Sequence, residues 1–141
     1  MRVPQTDSSP IPVADDLTRP YWTGLSDGDL VLPSCQVCGA LNHPIATTCR
    51  ACSSPRLEWL TVSPVGRLFS WTVEGRRVIE GMDPPYVIAQ MTPAGCEDGE
   101  VRLIGTLLVA DPATLHIGAE VRLAPAVRPG SDVSLAFFTL L

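Results

Sequence analysis

Cys35, Cys38, Cys49 and Cys52 are spaced C-x2-C-x10-C-x2-C, the plainest chemical signal in the chain. Four thiolates satisfy a tetrahedral Zn²⁺, and a two-residue spacer lets both sulfurs of a pair converge on one ion. Gly39 follows the first pair directly, where a knuckle turn calls for positive φ, whereas Ser53-Ser54 follows the second. The arc from Gly39 to Thr48 is long enough to bring the second pair round opposite the first. Such a site is structural, because four protein ligands leave no open position for water or substrate. Iron is the chief chemical rival in the same cage. Two disulfides, the plainer alternative, would need an oxidising compartment. His43 lies within the arc and could stand in for a thiolate, a role the fourth cysteine makes unnecessary.

Elsewhere the chemistry is sparse. His116 stands near no expected nucleophile, and spacing alone defines no Ser/His/Asp or Cys/His set. Cys96 is followed by Glu97, Asp98 and Glu100, whose charges disfavour a thiolate. No residue reads as a catalyst. Arg76 and Arg77 sit side by side in a loop between two expected strands, and adjacent guanidiniums can grip a phosphate. A solvated hairpin tip is the plainer reading of that loop. Tyr21-Trp22 reads either as a partner-docking pair or as a cap on the core.

Composition narrows the function further. The 141 residues carry a formal charge of −5, and all ten basic residues are arginine. Without lysine there is no Schiff-base or P-loop chemistry. Residues 59–141 hold nine acids and six arginines, which argues against a nucleic-acid-binding zinc-ribbon or OB protein, the alternative reading. Four thiolates on one Zn²⁺ deepen the charge to about −7. Apolar residues make up 45% and charged residues 18%, enough to build a core. No run of 18 apolar residues exists to span a membrane. Met1–Val13 has no apolar signal core, so a cytoplasmic protein is expected.

The elements that must position these residues follow from the pattern. Residues 1–13, with three prolines, are expected to form a flexible tail. Residues 14–28 form an N-terminal helical segment capped by Asp15 or Asp16 and ended by Gly28. Asp29–Leu32 is a strand leading into the ribbon, which occupies residues 29–58. Residues 59–141 then read as β. Arg67–Val73 alternates, with Phe69, Trp71 and Val73 on one face. Strands follow at 86–91, 101–109, 120–127 and 133–140, with Asp111-Pro112 opening a short helical turn. Leu57–Val62 is a further strand candidate. Five strands with one helical turn between the third and fourth fit an OB-fold barrel, and a sandwich or half-open sheet fits nearly as well.

Taken in order, these motifs resemble a family that joins a rubredoxin-like zinc ribbon to an OB-fold and accompanies acyl-CoA enzymes. The resemblance rests on Tyr21-Trp22, Cys35-Gln36-Val37-Cys38-Gly39, Cys49-Arg50-Ala51-Cys52-Ser53, Glu58-Trp59, residues 66–73 and Pro85-Tyr86-Val87-Ile88-Ala89. Asp111-Pro112 and Ile117-Gly118 complete it. It implies a mainly β chain: a helical segment, a four-cysteine zinc ribbon and a five-stranded OB-fold barrel. It further implies a non-catalytic accessory subunit of a thiolase-superfamily enzyme: a thiolase, an acyltransferase or a lipid-transfer-protein-type aldolase that shortens steroid side chains. Some relatives associate with hot-dog-fold enoyl-CoA hydratases. On that resemblance the metal is Zn²⁺ at Cys35, Cys38, Cys49 and Cys52. Tyr21 and Trp22 dock the partner, and Arg76, Arg77 and Tyr86 contact acyl-CoA. The chain departs from the family at Pro44-Ile45-Ala46, where Pro-Pro-Arg is usual, and at Arg50, where proline is usual. Ala136-Phe137-Phe138-Thr139 also lacks the usual Pro and Arg.

Overall fold

The computed structural model describes residues 4–96 and 101–141. Helix α1 spans Arg19–Asp27, starting four residues later than Asp15. The Asp15 carboxylate instead accepts the N–H and O–H of Thr18, both at 2.7 Å, folding a turn ahead of the helix. Pro20 falls in the first helical turn, where its missing N–H costs nothing, so it starts the helix and divides nothing. Gly28 closes the helix at φ +86, a left-handed conformation that frees its N–H to cap the last carbonyls.

Strand β1 (Leu30–Cys35) pairs antiparallel with β2 (Leu57–Val62) along its whole length, from Leu30↔Val62 to Cys35↔Leu57. The ribbon hairpin therefore runs to residue 62, and the expected division at residues 58 and 59 falls inside β2. Five further strands close a barrel in the order β3–β4–β5–β9–β6. They are β3 (Val65–Glu74), β4 (Tyr86–Pro93), β5 (Leu103–Leu108), β6 (Glu120–Leu123) and β9 (Phe137–Leu140). A single 3-10 turn at Pro112–Thr114 lies between the third and fourth of these in sequence, capped by the Asp111 carboxylate on the Ala113 N–H. The OB-type order follows, with β5 and β9 as the one parallel seam. The strands expected at 120–127 and 133–140 are each broken. Their inner ends, β7 (Ala126–Val127) and β8 (Ser134–Leu135), form a separate small hairpin.

Leu25, Leu30, Leu32, Leu68, Met91, Leu103, Val121 and Phe138 are all fully buried in one cluster. Helix, ribbon base and barrel thus share a core. The knuckle end of the ribbon has only Cys35, Ala40 and Cys49 buried as a separate cluster, with Leu57 against them.

Two expectations fail for identifiable reasons. A bulge between Leu68 and Ser70 shifts the register of β3, so Leu68 faces the core and Phe69 turns outward, 41% exposed. The guanidinium of Arg102 lies 3.6 Å over the Phe69 ring. After the bulge Trp71 faces inward, half-buried against the core. The tail is also not free: residues 4–9 lie along the turn at residues 79–83. Thr6 N–H donates to the Gly81 carbonyl and Asp83 N–H to the Pro4 carbonyl, both at 2.8 Å. Backbone groups make those bonds, so the composition carries no sign of them.

The β5–β9 seam leaves no room at Gly105, where a Cβ would stand 2.6 Å from the Ala136 carbonyl and 2.8 Å from the Phe138 ring. Gly105→Ala is expected to destabilise the chain by about 1–3 kcal/mol through overpacking. Urea denaturation checks this, and an unchanged midpoint would show that the seam yields freely.

Candidate metal centre and ligand surfaces

Both knuckles are built by the same backbone turn. In the first, Cys35 N–H donates to the Ala40 carbonyl and Gly39 N–H to the Cys35 carbonyl, with Gly39 at φ +77. In the second, Cys49 N–H donates to the Ser54 carbonyl and Ser53 N–H to the Cys49 carbonyl, with Ser53 at φ +61. Ser53 thus occupies the left-handed position that glycine fills in its twin, the only non-glycine residue at positive φ among those described.

These turns bring the Sγ atoms of Cys35, Cys38, Cys49 and Cys52 within 4.8 Å of one another. Cys35–Cys52 and Cys38–Cys49 are each 3.6 Å apart. A tetrahedron with metal–sulfur bonds of about 2.3 Å has edges of about 3.8 Å, so the four sulfurs fit a bound Zn²⁺. Val37 N–H points at Cys35 Sγ and Ala51 N–H at Cys49 Sγ, both at 3.4 Å. Amides in these positions stabilise thiolate charge. The Cys38 amide draws the Cys35 thiol below its usual range, and the Cys52 and Ala51 amides draw Cys49 down to about 6. Ala40 N–H acts the same way on Cys38, but burial and the sulfurs of Cys49, Cys52 and Cys35 outweigh it and carry that thiol up to about 12. Without a cation, four thiolates so close cannot all be charged; a divalent ion removes the conflict.

Asn42 was not singled out by the sequence, yet it ties the two knuckles together. It is fully buried, its Nδ2 donates to the Ala40 carbonyl and lies 3.9 Å from Cys49 Sγ, and its Oδ1 accepts the Arg50 N–H at 2.8 Å. An asparagine in a loop has no periodicity to reveal it. His43, one residue on, is not one of the four clustered ligand groups, and its ring lies beside Tyr21, centroids 6.0 Å apart. Its Nδ1 is buried without a partner among the described residues, and burial holds its pKa below the usual value.

Tyr21 and Trp22 do not stand together on the surface. Tyr21 is 9% exposed and belongs to the core, while Trp22 is half-buried against it, the rings meeting edge to face at 5.1 Å. Beside them, Leu17, Pro33, Ile45, Leu57 and Trp59 line an apolar groove of about 260 Å³, with Trp59 38% exposed. Only folding unites Leu17, the arc and β2 there.

Arg76 and Arg77 project from the β3–β4 loop. Arg77 pairs with Asp83 at 2.8 Å and Arg76 approaches Glu74 at 3.9 Å. Tyr86, at the base of that loop, is buried and lines a separate cavity on the barrel wall that neither arginine reaches. Cys96 is buried, and its acidic neighbours Glu97, Asp98 and Glu100 lie outside the described residues. No helix among the described residues is long and apolar enough to cross a membrane.

A four-thiolate ribbon standing on an OB-type barrel defines a class of ribbon–barrel proteins. Residues 22–58 match the ChsH2 rubredoxin-like zinc ribbon domain. That match covers the ribbon alone, which is joined here to a closed five-strand barrel. The chain is 32% identical over 127 residues to the 3-oxo-4,17-pregnadiene-20-carboxyl-CoA hydratase alpha subunit of Mycobacterium tuberculosis. That match spans 81% of this chain but only 39% of the relative's length. The fold is also that of the solved structure named Ltp2-ChsH2(DUF35) aldolase, with TM-score 0.79 and 22% identity over 92% of this chain and 98% of that one. A DUF35-family protein of unknown function from Sulfolobus solfataricus superposes with TM-score 0.62 and 14% identity, covering 91% of this chain and 87% of its own.

Because the knuckles have almost no apolar core, Cys38→Ser is expected to release the bound metal and unfold the ribbon, with loss of soluble protein. Elemental analysis and tryptophan fluorescence check this. A folded ribbon after complete chelation would contradict the structural role, and red colour in place of none would identify iron.

Proposed function

We propose that this chain is a non-catalytic accessory subunit that docks on a thiolase-superfamily aldolase and helps it hold an acyl-CoA of steroid side-chain degradation. The observation that carries the reading is the joint match of ribbon and barrel to the ChsH2 part of an aldolase assembly. The chemistry agrees, since four sulfurs facing one another leave a bound Zn²⁺ no open position and put it in a structural role. Four of the described exposed arginines are met by acids, at Arg19–Asp16, Arg67–Glu120, Arg76–Glu74 and Arg77–Asp83. A continuous basic face for nucleic acid is not built from them. The name of the mycobacterial relative favours an enoyl-CoA hydratase as a second partner.

In this reading the ribbon face is the docking surface. Trp22, braced from beneath by Tyr21, and the exposed Trp59 and Leu17 supply apolar anchors of the kind that dominate interfaces. Arg76 and Arg77 offer guanidiniums to the CoA phosphates, exchanging their present carboxylate partners for a more highly charged one.

Two measurements test the proposal. Co-expressed with a thiolase-like aldolase subunit, the chain is expected to co-elute with it, and Trp22→Ala to weaken the complex by about tenfold or more while leaving the barrel folded. Co-elution of the variant at unchanged strength would remove the docking role. Arg76→Ala with Arg77→Ala is expected to weaken acyl-CoA binding by the complex about three- to tenfold, less so at high salt. Unchanged affinity would leave that loop a solvated hairpin tip.

A further inference from the structure

The segment Pro4–Ser9 lies as a strap along the β3–β4 loop, with Pro4 reaching the barrel wall. Among the described residues it is held by the Thr6 N–H and hydroxyl to the Gly81 carbonyl, at 2.8 and 3.2 Å, by the Asp83 N–H to the Pro4 carbonyl, and by the bridge between Gln5 and Met82. The fit at Gly81 is tight. A Cβ there would stand 2.2 Å from the Ser9 nitrogen, and φ is +75. Further along, a Cβ on Gly130 would stand 3.0 Å from the Asp7 Cβ.

Pro4, at the start of the strap, lines a cavity of about 290 Å³ with Val73, Tyr86, Leu107, Leu108 and Pro112. No charged side chain lines it. Tyr86 is only 4% exposed, and its hydroxyl has no hydrogen-bond partner among the described residues. The side-chain carbonyl of Gln5, on the strap itself, is buried and unpaired too. Each of these unpaired buried atoms, one on the strap and one on a cavity-lining residue, carries a cost that the surrounding structure must offset.

We propose that this cavity receives the acyl end of a thioester, an uncharged apolar chain bearing a carbonyl, and that Pro4–Ser9 is its lid. The aliphatic lining suits the chain, and the Tyr86 hydroxyl supplies a donor to the carbonyl once the strap moves. The volume lies at the lower limit of the ~300–1,000 Å³ typical of ligand pockets, so the cavity holds part of a ligand and not a whole one. The missing cations exclude the phosphates of CoA, whereas Arg76 and Arg77 sit on the loop that leaves β3 beyond Val73 and returns at Tyr86. The choice of a thioester rests on the acyl-CoA reading above; the cavity and its lid do not.

The test uses 2-nonanone, an uncharged ketone without CoA, added to the intact chain and followed by nuclear magnetic resonance. Saturable shifts of the Val73, Leu107 and Leu108 methyls are expected, together with faster hydrogen exchange at the Thr6 and Asp83 amides. Gly81→Ala, which pushes against Ser9, is expected to bind the ketone several-fold more tightly. Tyr86→Phe is expected to bind it about three- to tenfold more weakly while unfolding at no lower temperature, since its loss removes an unpaired buried hydroxyl. It also serves if Gly81→Ala does not fold. Absence of saturable binding, or equal affinity in Tyr86→Phe, overturns the proposal. Ketone binding without aldolase co-elution would sink the accessory-subunit reading and leave the cavity standing; the reverse result would do the opposite.

Discussion

Four sulfurs converging within 4.8 Å are the constraint on which the ribbon depends. The apolar cluster at the knuckle end is only Cys35, Ala40 and Cys49, with Leu57 alongside, and two of those three belong to the four-sulfur set. Apolar burial at roughly 25 cal/mol per Å² cannot hold so small a cluster against chain entropy. A bound divalent cation would do so by neutralising charge that the amides of the knuckles prepare for thiolates. Asn42, buried between the turns, fixes the spacing at which that can happen.

From this anchored end the hairpin carries the constraint into the body of the molecule. β1 enters the main core through Leu30 and Leu32, and α1 packs beside them through Tyr21 and Leu25. Ribbon and barrel are therefore distinct in architecture but share one hydrophobic cluster. A surface on the ribbon is consequently coupled by direct packing to the barrel wall. That arrangement suits a protein whose proposed task is to hold a partner with one part and a ligand with the other.

The barrel contributes a different kind of asymmetry. Its inner face is filled by Leu68, Met91, Leu103, Val121 and Phe138. The cavity proposed above for a ligand lies on the outside, on the wall at Tyr86 beside the β3–β4 loop. The bulge at Phe69 shows the same economy. One extra residue turns an aromatic ring outward under Arg102 and lets Trp71 resume the inward face.

By itself the sequence determined that four thiols could converge, as they do, because two-residue spacing between cysteines is a local property that needs no tertiary information. It also placed strands where β3, β4 and β5 lie and the turn at Asp111-Pro112, since strand-forming residues and proline placement are local as well, but it ran β6 and β9 on into the separate β7–β8 hairpin. The tertiary structure decided the rest. It moved Leu57–Val62 into the ribbon, because strand pairing is a long-range choice that no window of residues contains. It buried Tyr21, leaving Trp22 and Trp59 at the surface, since which side of a short helix meets the core depends on what packs there. It laid residues 4–9 along the β3–β4 loop through backbone bonds that every sequence offers and composition cannot reveal. Residue type and spacing sufficed wherever chemistry was local, and only the fold could say which surfaces remained to be used.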